Sequence, residues 1–413
     1  MSKRAAQYQV TLNTPATGKI HCGTLIIKES DGNTDGVGFK YSAEYLTHPN
    51  AFSIDPVALQ LSSTAYQYRV NQSLPGFLDD YLPDQWGRRV IARAASVAKK
   101  TDFNANSVID ILSLVSKSNI GALAIQPENE GPTYDLGLEY EDLIHAENAA
   151  LLINEPANNI TLETAKLIHL WREGSGGAGG ARPKSLIHKG KNAYLAKFNT
   201  RQDEFNFAKV ELACLRMAKK AGIKINDGFV EENINGRDVL LLKRFDVVNN
   251  DSRLHVVTIN ALLKNAASFA DYGMMFRYND IHNLLKSYST NIQEDLKQLL
   301  RLMLFNRAIN NSDDHERNFS LCTDGTGYKF APAYDLVPSL SRGQFHAAGY
   351  SYSNYPLRPS EVDGKQRIFG VPKKEAKACA EEVTAAVEKW SVFADEVGVC
   401  EQDAEKINNV FNL

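Results

Sequence analysis

The stretch Asn310-Asn311-Ser312-Asp313-Asp314-His315-Glu316-Arg317-Asn318-Phe319-Ser320 decides how the rest of the chain is read. It follows Leu-Leu-Arg-Leu-Met-Leu-Phe-Asn-Arg-Ala-Ile (Leu299 to Ile309), an apolar run expected to form a buried helix. Two carboxylates, an imidazole, a guanidinium and an amide therefore crowd the end of a buried element. Packing gives no reason for such a set, since a buried polar group costs free energy unless it is partnered. A helix-capping role for Asp313 and Asp314 explains two of these residues but not the spaced set. Downstream, Tyr-Lys-Phe-Ala-Pro-Ala-Tyr-Asp (Tyr328 to Asp335) ends another strand-like run on a carboxylate.

Phosphoryl transfer requires one carboxylate to receive or orient an attacking hydroxyl. It also requires an amide oxygen and a second carboxylate on a magnesium ion, a lysine on the phosphates, and backbone amides over them. Asn318 lies five positions after Asp313, the D-x-x-x-x-N spacing of a protein-kinase catalytic loop. Asp335 lies 17 further on, a distance that a short hairpin spans. Asp313 is thus the expected catalytic carboxylate, and Asn318 and Asp335 the expected metal ligands. Their hard oxygens suit Mg2+. His315 is expected to hold the loop at the nucleotide, and Arg317 either to be a solvated or pairing charge or to touch phosphate or acceptor.

Working outward, the other parts occur in the required order. Gly174 to Lys184 reads G-S-G-G-A-G-G-A-R-P-K, the most glycine-dense stretch. Alone it would read as a linker. Its place before two strand-like runs (Ser185–His188 and Ala193–Phe198) favours a phosphate-facing loop, with Gly176, Gly177, Ala178, Gly179 and Gly180 over the nucleotide and Lys184 assisting. Lys197, in Y-L-A-K-F, is expensive among apolar neighbours unless paired. A helix over about Glu204 to Ala221 brings Glu211 as its partner. A strand from Asp238 to Lys243 leads into a hinge, where backbone groups of Lys243 and Phe245 are expected to meet adenine. Elsewhere the patterns predict strands and then a helix over residues 1–100. They predict helices within 106–126 and from Thr161 to Arg172, mostly helix from 256 to 310, and a helix near 373–396.

These residues together resemble the HipA family, the kinase toxins of bacterial toxin–antitoxin pairs. The family's D-x-H-x-x-N-F signature is matched by Asp313 to Phe319, and its second metal aspartate by Tyr334-Asp335. Its G-G-A-R-P-K loop is matched by Gly179 to Lys184, its R-F-D element by Arg244 to Asp246, and its amino-terminal P-D-x-W-G-R element by Pro83 to Arg88. The resemblance implies an α+β, two-lobed protein-kinase-like fold. Residues 1–100 would form a small β-rich subdomain, 101–246 the rest of the N-lobe, and 247–413 a helical C-lobe. It also implies ATP and Mg2+ as cofactors, a protein substrate with an acceptor Ser or Thr (in several members an aminoacyl-tRNA synthetase), and a helix-turn-helix, HipB-like antitoxin through which DNA is contacted only indirectly. Members autophosphorylate a serine before A-R-P-K. Gly177 occupies the position most like that serine, and Ser175 is the nearest acceptor.

Composition bounds these readings. The 413 residues are 43% hydrophobic and 23% charged, ordinary for a globular chain of two or three subdomains. A formal net charge of −3 gives no overall basic field for nucleic acid. Five scattered cysteines (Cys22, Cys214, Cys322, Cys379 and Cys400) suggest neither a zinc site nor a disulfide framework, and reduced thiols fit a cytoplasmic chain. No apolar run approaches a membrane span. Two other functions remain open on sequence: a kinase-like scaffold that only holds an antitoxin or repressor, and a small-molecule kinase.

Overall fold

The computed structural model describes residues 3–69, 74–115, 117–153, 182–249, 252–264, 275–341, 343–365 and 367–413. Its first unit is a five-stranded antiparallel sheet of β1 (Lys3–Thr14), β2 (Gly18–Ser30), β3 (Asn33–Tyr41), β4 (Tyr66–Arg69) and β5 (Leu123–Pro127), in the order β4-β3-β2-β1-β5. Alternation drives it: Tyr8, Val10 and Leu12 of β1 and Leu25 and Ile27 of β2 all point into one core. Four helices cover that core: α1 (Ala43–Thr47), α2 (Gly76–Tyr81), α3 (Gln85–Val97) and α4 (Val108–Leu114).

The helical pattern expected over 106–126 is realised only in α4. Leu123 to Pro127 is a strand, because its apolar run lies beside β1 and its backbone groups complete that ladder. A short apolar run carries no period long enough to separate the two outcomes. The amino-terminal unit, divided from the rest at residue 100 on sequence, thus takes its fifth strand from beyond that division.

A second sheet has the order β6-β7-β8-β10-β9, from β6 (Leu138–Glu139), β7 (Lys184–Lys189), β8 (Asn192–Phe198), β9 (Gly228–Ile234) and β10 (Arg237–Lys243). One face packs Ile187, Ala196, Phe198, Val239 and Leu241 against Trp86 and Val90 of α3 and against α5 (Leu143–Leu152). Over the other face lies α6 (Phe207–Lys220), capped by Asn206, whose side chain accepts from the Lys209 amide.

The remaining described chain is largely helical: α7 (Ile259–Lys264), α8 (Tyr278–Tyr288), α9 (Ile292–Ala308), α10 (Lys373–Val387), α11 (Trp390–Val397) and α12 (Glu401–Asn408). A small sheet of β11 (His255–Thr258), β12 (Ser320–Thr323) and β13 (Lys329–Phe330) interrupts it, so the stretch expected to be helical from 256 begins as a strand. Residues 161–172 lie outside the described residues.

Candidate active site

Three elements converge on one charged cluster. Lys184 of β7 and Lys197 of β8 are antiparallel partners, so both side chains leave the sheet on the same face. The Lys197 ammonium lies 2.5 Å from Glu211 Oε1 of α6 and also donates to Asp335 Oδ1. Lys184 is only 5% exposed, and the charges of Asp335 and Asp84 act on it. Burial lowers its pKa, since no water solvates the ammonium, and the two carboxylates pull the other way. For Lys197 the same burial penalty is overcome by Asp335 and Glu211, which raise its pKa. Burial works to raise Asp335, yet Lys197 and Lys184 outweigh it and hold the carboxyl below its ordinary range. Glu211 is raised, because its burial is offset only in part by Lys197.

Asp335 adopts φ +55°, a left-handed conformation that aspartate tolerates better than most residues. Its carbonyl accepts from Asn311 Nδ2 at 3.1 Å, which pins the turn to the end of α9. The catalytic-loop stretch begins two residues later. Asp314, fully buried, accepts from the Tyr278 hydroxyl (2.8 Å) and the Ala348 amide (3.0 Å), and lies 3.1 Å from His346 Nδ1. Asn306 Nδ2 donates to the Tyr278 hydroxyl and Asn306 Oδ1 accepts from Asn311. A single polar network thus joins Asp314 to the backbone of Asp335. Asp314 anchors the loop, and its neighbour Asp313 projects to the exposed side. Partial burial raises the Asp313 pKa, with Asp335 and Asp314 acting in the same sense and His315 against it.

His315 caps the short 3-10 turn Glu316–Asn318, its Nδ1 accepting from the Arg317 amide at 3.2 Å. Asn318 Nδ2 donates to the Asp313 carbonyl at 2.7 Å. Among the described residues nothing donates to Asn318 Oδ1. Hard oxygens of this kind suit Mg2+. Among the described residues no group of three or more His, Cys, Asp or Glu is placed to hold a metal by itself, so phosphate oxygens would have to complete such a shell. Arg317 donates to Asp79 Oδ2 of α2 at 2.6 Å, the pairing that the sequence allowed as one of its two roles.

At the hinge the Lys243 amide donates to the Asp227 carbonyl at 2.9 Å and the Lys243 side chain is exposed, which leaves the carbonyl as the backbone group of Lys243 for a base. The Phe245 ring remains: it lies nearly parallel to Tyr334, at 13° with centroids 6.5 Å apart. Flanking it, Arg244 and Asp246 form a buried pair that also receives the Gly121 amide and reaches the Asn119 carbonyl. Ser175, Gly176, Gly177, Ala178, Gly179 and Gly180 lie outside the described residues. Sequence reasoning missed Tyr278, His346 and Asp79, whose spacing from the loop carries no local signal.

Comparison with known proteins agrees with this geometry. Residues 176–390 match the HipA-like C-terminal domain and residues 16–126 the HipA N-terminal domain. "Putative kinase Y4mE" of Sinorhizobium fredii (strain NBRC 101917 / NGR234) is 25% identical over 341 residues, covering 77% of this chain and 76% of that protein. A chain in the solved structure of the Shewanella oneidensis MR-1 toxin–antitoxin system HipA, HipB and its operator DNA complex superposes with a TM-score of 0.66 at 17% identity. That match spans 98% of this chain and 94% of the other, so the α+β, two-lobed HipA-like fold is shared over nearly the whole length. With one family model over more than half of the residues and the other over the amino-terminal sheet, the chain belongs to the HipA family.

Proposed function

We propose that the chain is an ATP- and Mg2+-dependent protein kinase that transfers the γ-phosphoryl group to a Ser or Thr of a protein, and that it is the toxin of a toxin–antitoxin pair acting in the cytoplasm. The observation that carries the reading is Lys197 held between Glu211 and Asp335, with Lys184 on the adjacent strand. A buried lysine and a largely covered one facing a carboxylate form a phosphate site and serve no packing purpose.

In this reading Lys197 and Lys184 bind the phosphates, and Glu211 orients Lys197. Phe245 and Tyr334 present flat faces to adenine. Asn318 Oδ1 and Asp335 would hold Mg2+, which when bound neutralises phosphate charge. Asp313 receives the proton of the acceptor hydroxyl as its oxygen bonds to the γ-phosphorus and the bond to the β–γ bridging oxygen breaks, releasing ADP. A carboxyl with a raised pKa is a better proton acceptor than an ordinary one. A HipB-like partner is supported by the fold shared with the Shewanella complex, whose own components include HipB and operator DNA.

Calorimetry of ATP–Mg2+ binding, with Asp335→Asn beside the wild type, tests the nucleotide site. Asp313→Asn tests the chemistry: transfer should fall by at least about 10²-fold while ATP affinity stays within a few-fold. Wild-type protein that binds no ATP–Mg2+ would move the assignment to a scaffold that only holds a partner.

A further inference from the structure

The short segment from α2 to the start of α3 contacts both the carboxy-terminal helical region and the core under the second sheet, although it belongs to the amino-terminal unit. Asp79 of α2 takes three donors from the C-lobe: Arg317 Nη2 at 2.6 Å, Lys264 Nζ at 2.8 Å and Asn260 Nδ2 at 3.3 Å. Next to it, Asp80 accepts from both the amide and the hydroxyl of Thr258, each at 2.7 Å. The approach is as close as backbones allow, because a Cβ on Gly76 would collide with the Ala261 carbonyl of α7. Five residues along, Asp84 caps α3 and feels the charges of both Lys184 and Arg317. Trp86 then enters the core beneath β7 and β8.

Arg317 occupies the middle of the loop that carries Asp313 and Asn318. Its amide is held by His315, its carbonyl accepts from the Tyr334 hydroxyl at 3.1 Å, and its guanidinium is held by Asp79. Asn318 in turn holds the Asp313 carbonyl. An exposed ion pair would contribute little, but the Asp79 side chain is only 15% exposed and gathers three donors. Asp79 is the hydrogen-bonding carboxylate at the guanidinium among the described residues, while Asp80 and Glu316 act on it by charge alone.

We propose that Asp79 is a positioning residue of the phosphoryl-transfer site: by fixing Arg317 it sets the placement of Asp313 and Asn318, which makes the amino-terminal unit part of the catalytic apparatus. This rests on the kinase reading above. Asp79→Asn in the full chain keeps the shape and removes the charge. Two readouts are taken: hydrogen exchange across residues 313–320, and kcat and KM for ATP with casein as the acceptor probe. The expected result is at least tenfold faster exchange confined to that loop. With it, kcat should fall by about a hundredfold at unchanged KM, the size a misplacement of roughly 1 Å produces. Arg317→Gln, which reads the same contact from the partly exposed side, should reproduce both effects, and the double variant should be no worse than either single one. Unchanged exchange and kcat overturn the proposal. Exchange that rises throughout the amino-terminal unit also overturns it, since Asp79 would then only stabilise that fold. Wild type that neither binds ATP–Mg2+ nor transfers phosphate, with loop exchange still rising in the variant, defeats the kinase reading while the positioning role stands.

Discussion

Replacing Lys197 by methionine keeps most of the side-chain volume and removes one charge from a cluster of at least four. Glu211, its side chain 5% exposed, loses its hydrogen-bonded cation and keeps only the weaker field of Lys184, while Asp335, 33% exposed, keeps part of its hydration and the field of Lys184. Breaking a buried pair from one side costs about 3–5 kcal/mol, and the partial hydration of Asp335 puts the expected loss near the lower end, about 3 kcal/mol. Its pH dependence is the sharper test. Burial already holds the Glu211 carboxyl up, and without Lys197 it rises further. A folded-state pKa above the unfolded one contributes stability that is complete below the ordinary glutamate range and is lost as pH rises through the folded value. The deficit should therefore grow from pH 5, where only the Asp335 share is present, to pH 8, where the Glu211 share is added. Urea denaturation followed by tryptophan fluorescence at the two pH values measures it. A deficit that is the same at both, or below about 1 kcal/mol at pH 8, would show that Lys197 is solvated rather than paired.

Tyr278→Phe removes a donor from the fully buried Asp314 and should cost about 1.5–3 kcal/mol in the same assay. His255, buried on β11 with Nε2 at 2.7 Å from the Ile54 carbonyl, is pushed down to about 4 by burial. Its stabilisation is present above the free imidazole value and lost as pH falls toward 4. His255→Gln should therefore flatten the acid limb of a thermal-melting profile below about pH 6. Asp335→Asn should weaken nucleotide binding more with Mg2+ than without it, which calorimetry in magnesium and in chelator compares.

The hairpin between Asn318 and Asp335 was legible because it is local: β12 and β13 pair within that short stretch. Lys197 and Glu211 were legible because a lysine on an apolar strand demands a carboxylate and the next helix supplies one. The partner of Arg317 was not legible because Asp79 is 238 positions away and belongs to another unit. The destination of the Lys243 amide was not legible because side-chain identity says nothing about where a backbone amide goes, and it goes to Asp227. The same limit hid β5, whose strand character comes from pairing with β1 and not from its own five residues.

The buried knot at the hinge has a consequence for dissecting the protein. Arg244 and Arg253 both donate to the Asn119 carbonyl, Arg253 also to the carbonyls of Tyr134 and Asp135, and Asp246 takes the Gly121 amide. Every one of those acceptors and donors is contributed by chain that precedes residue 136. A fragment cut to begin at the second sheet would leave two guanidinium groups and a carboxylate facing vacated space, each an unfilled polar valence inside what had been interior. Such a truncation would not be a smaller working enzyme but a chain missing part of its own floor, and expression trials should retain both units on one polypeptide.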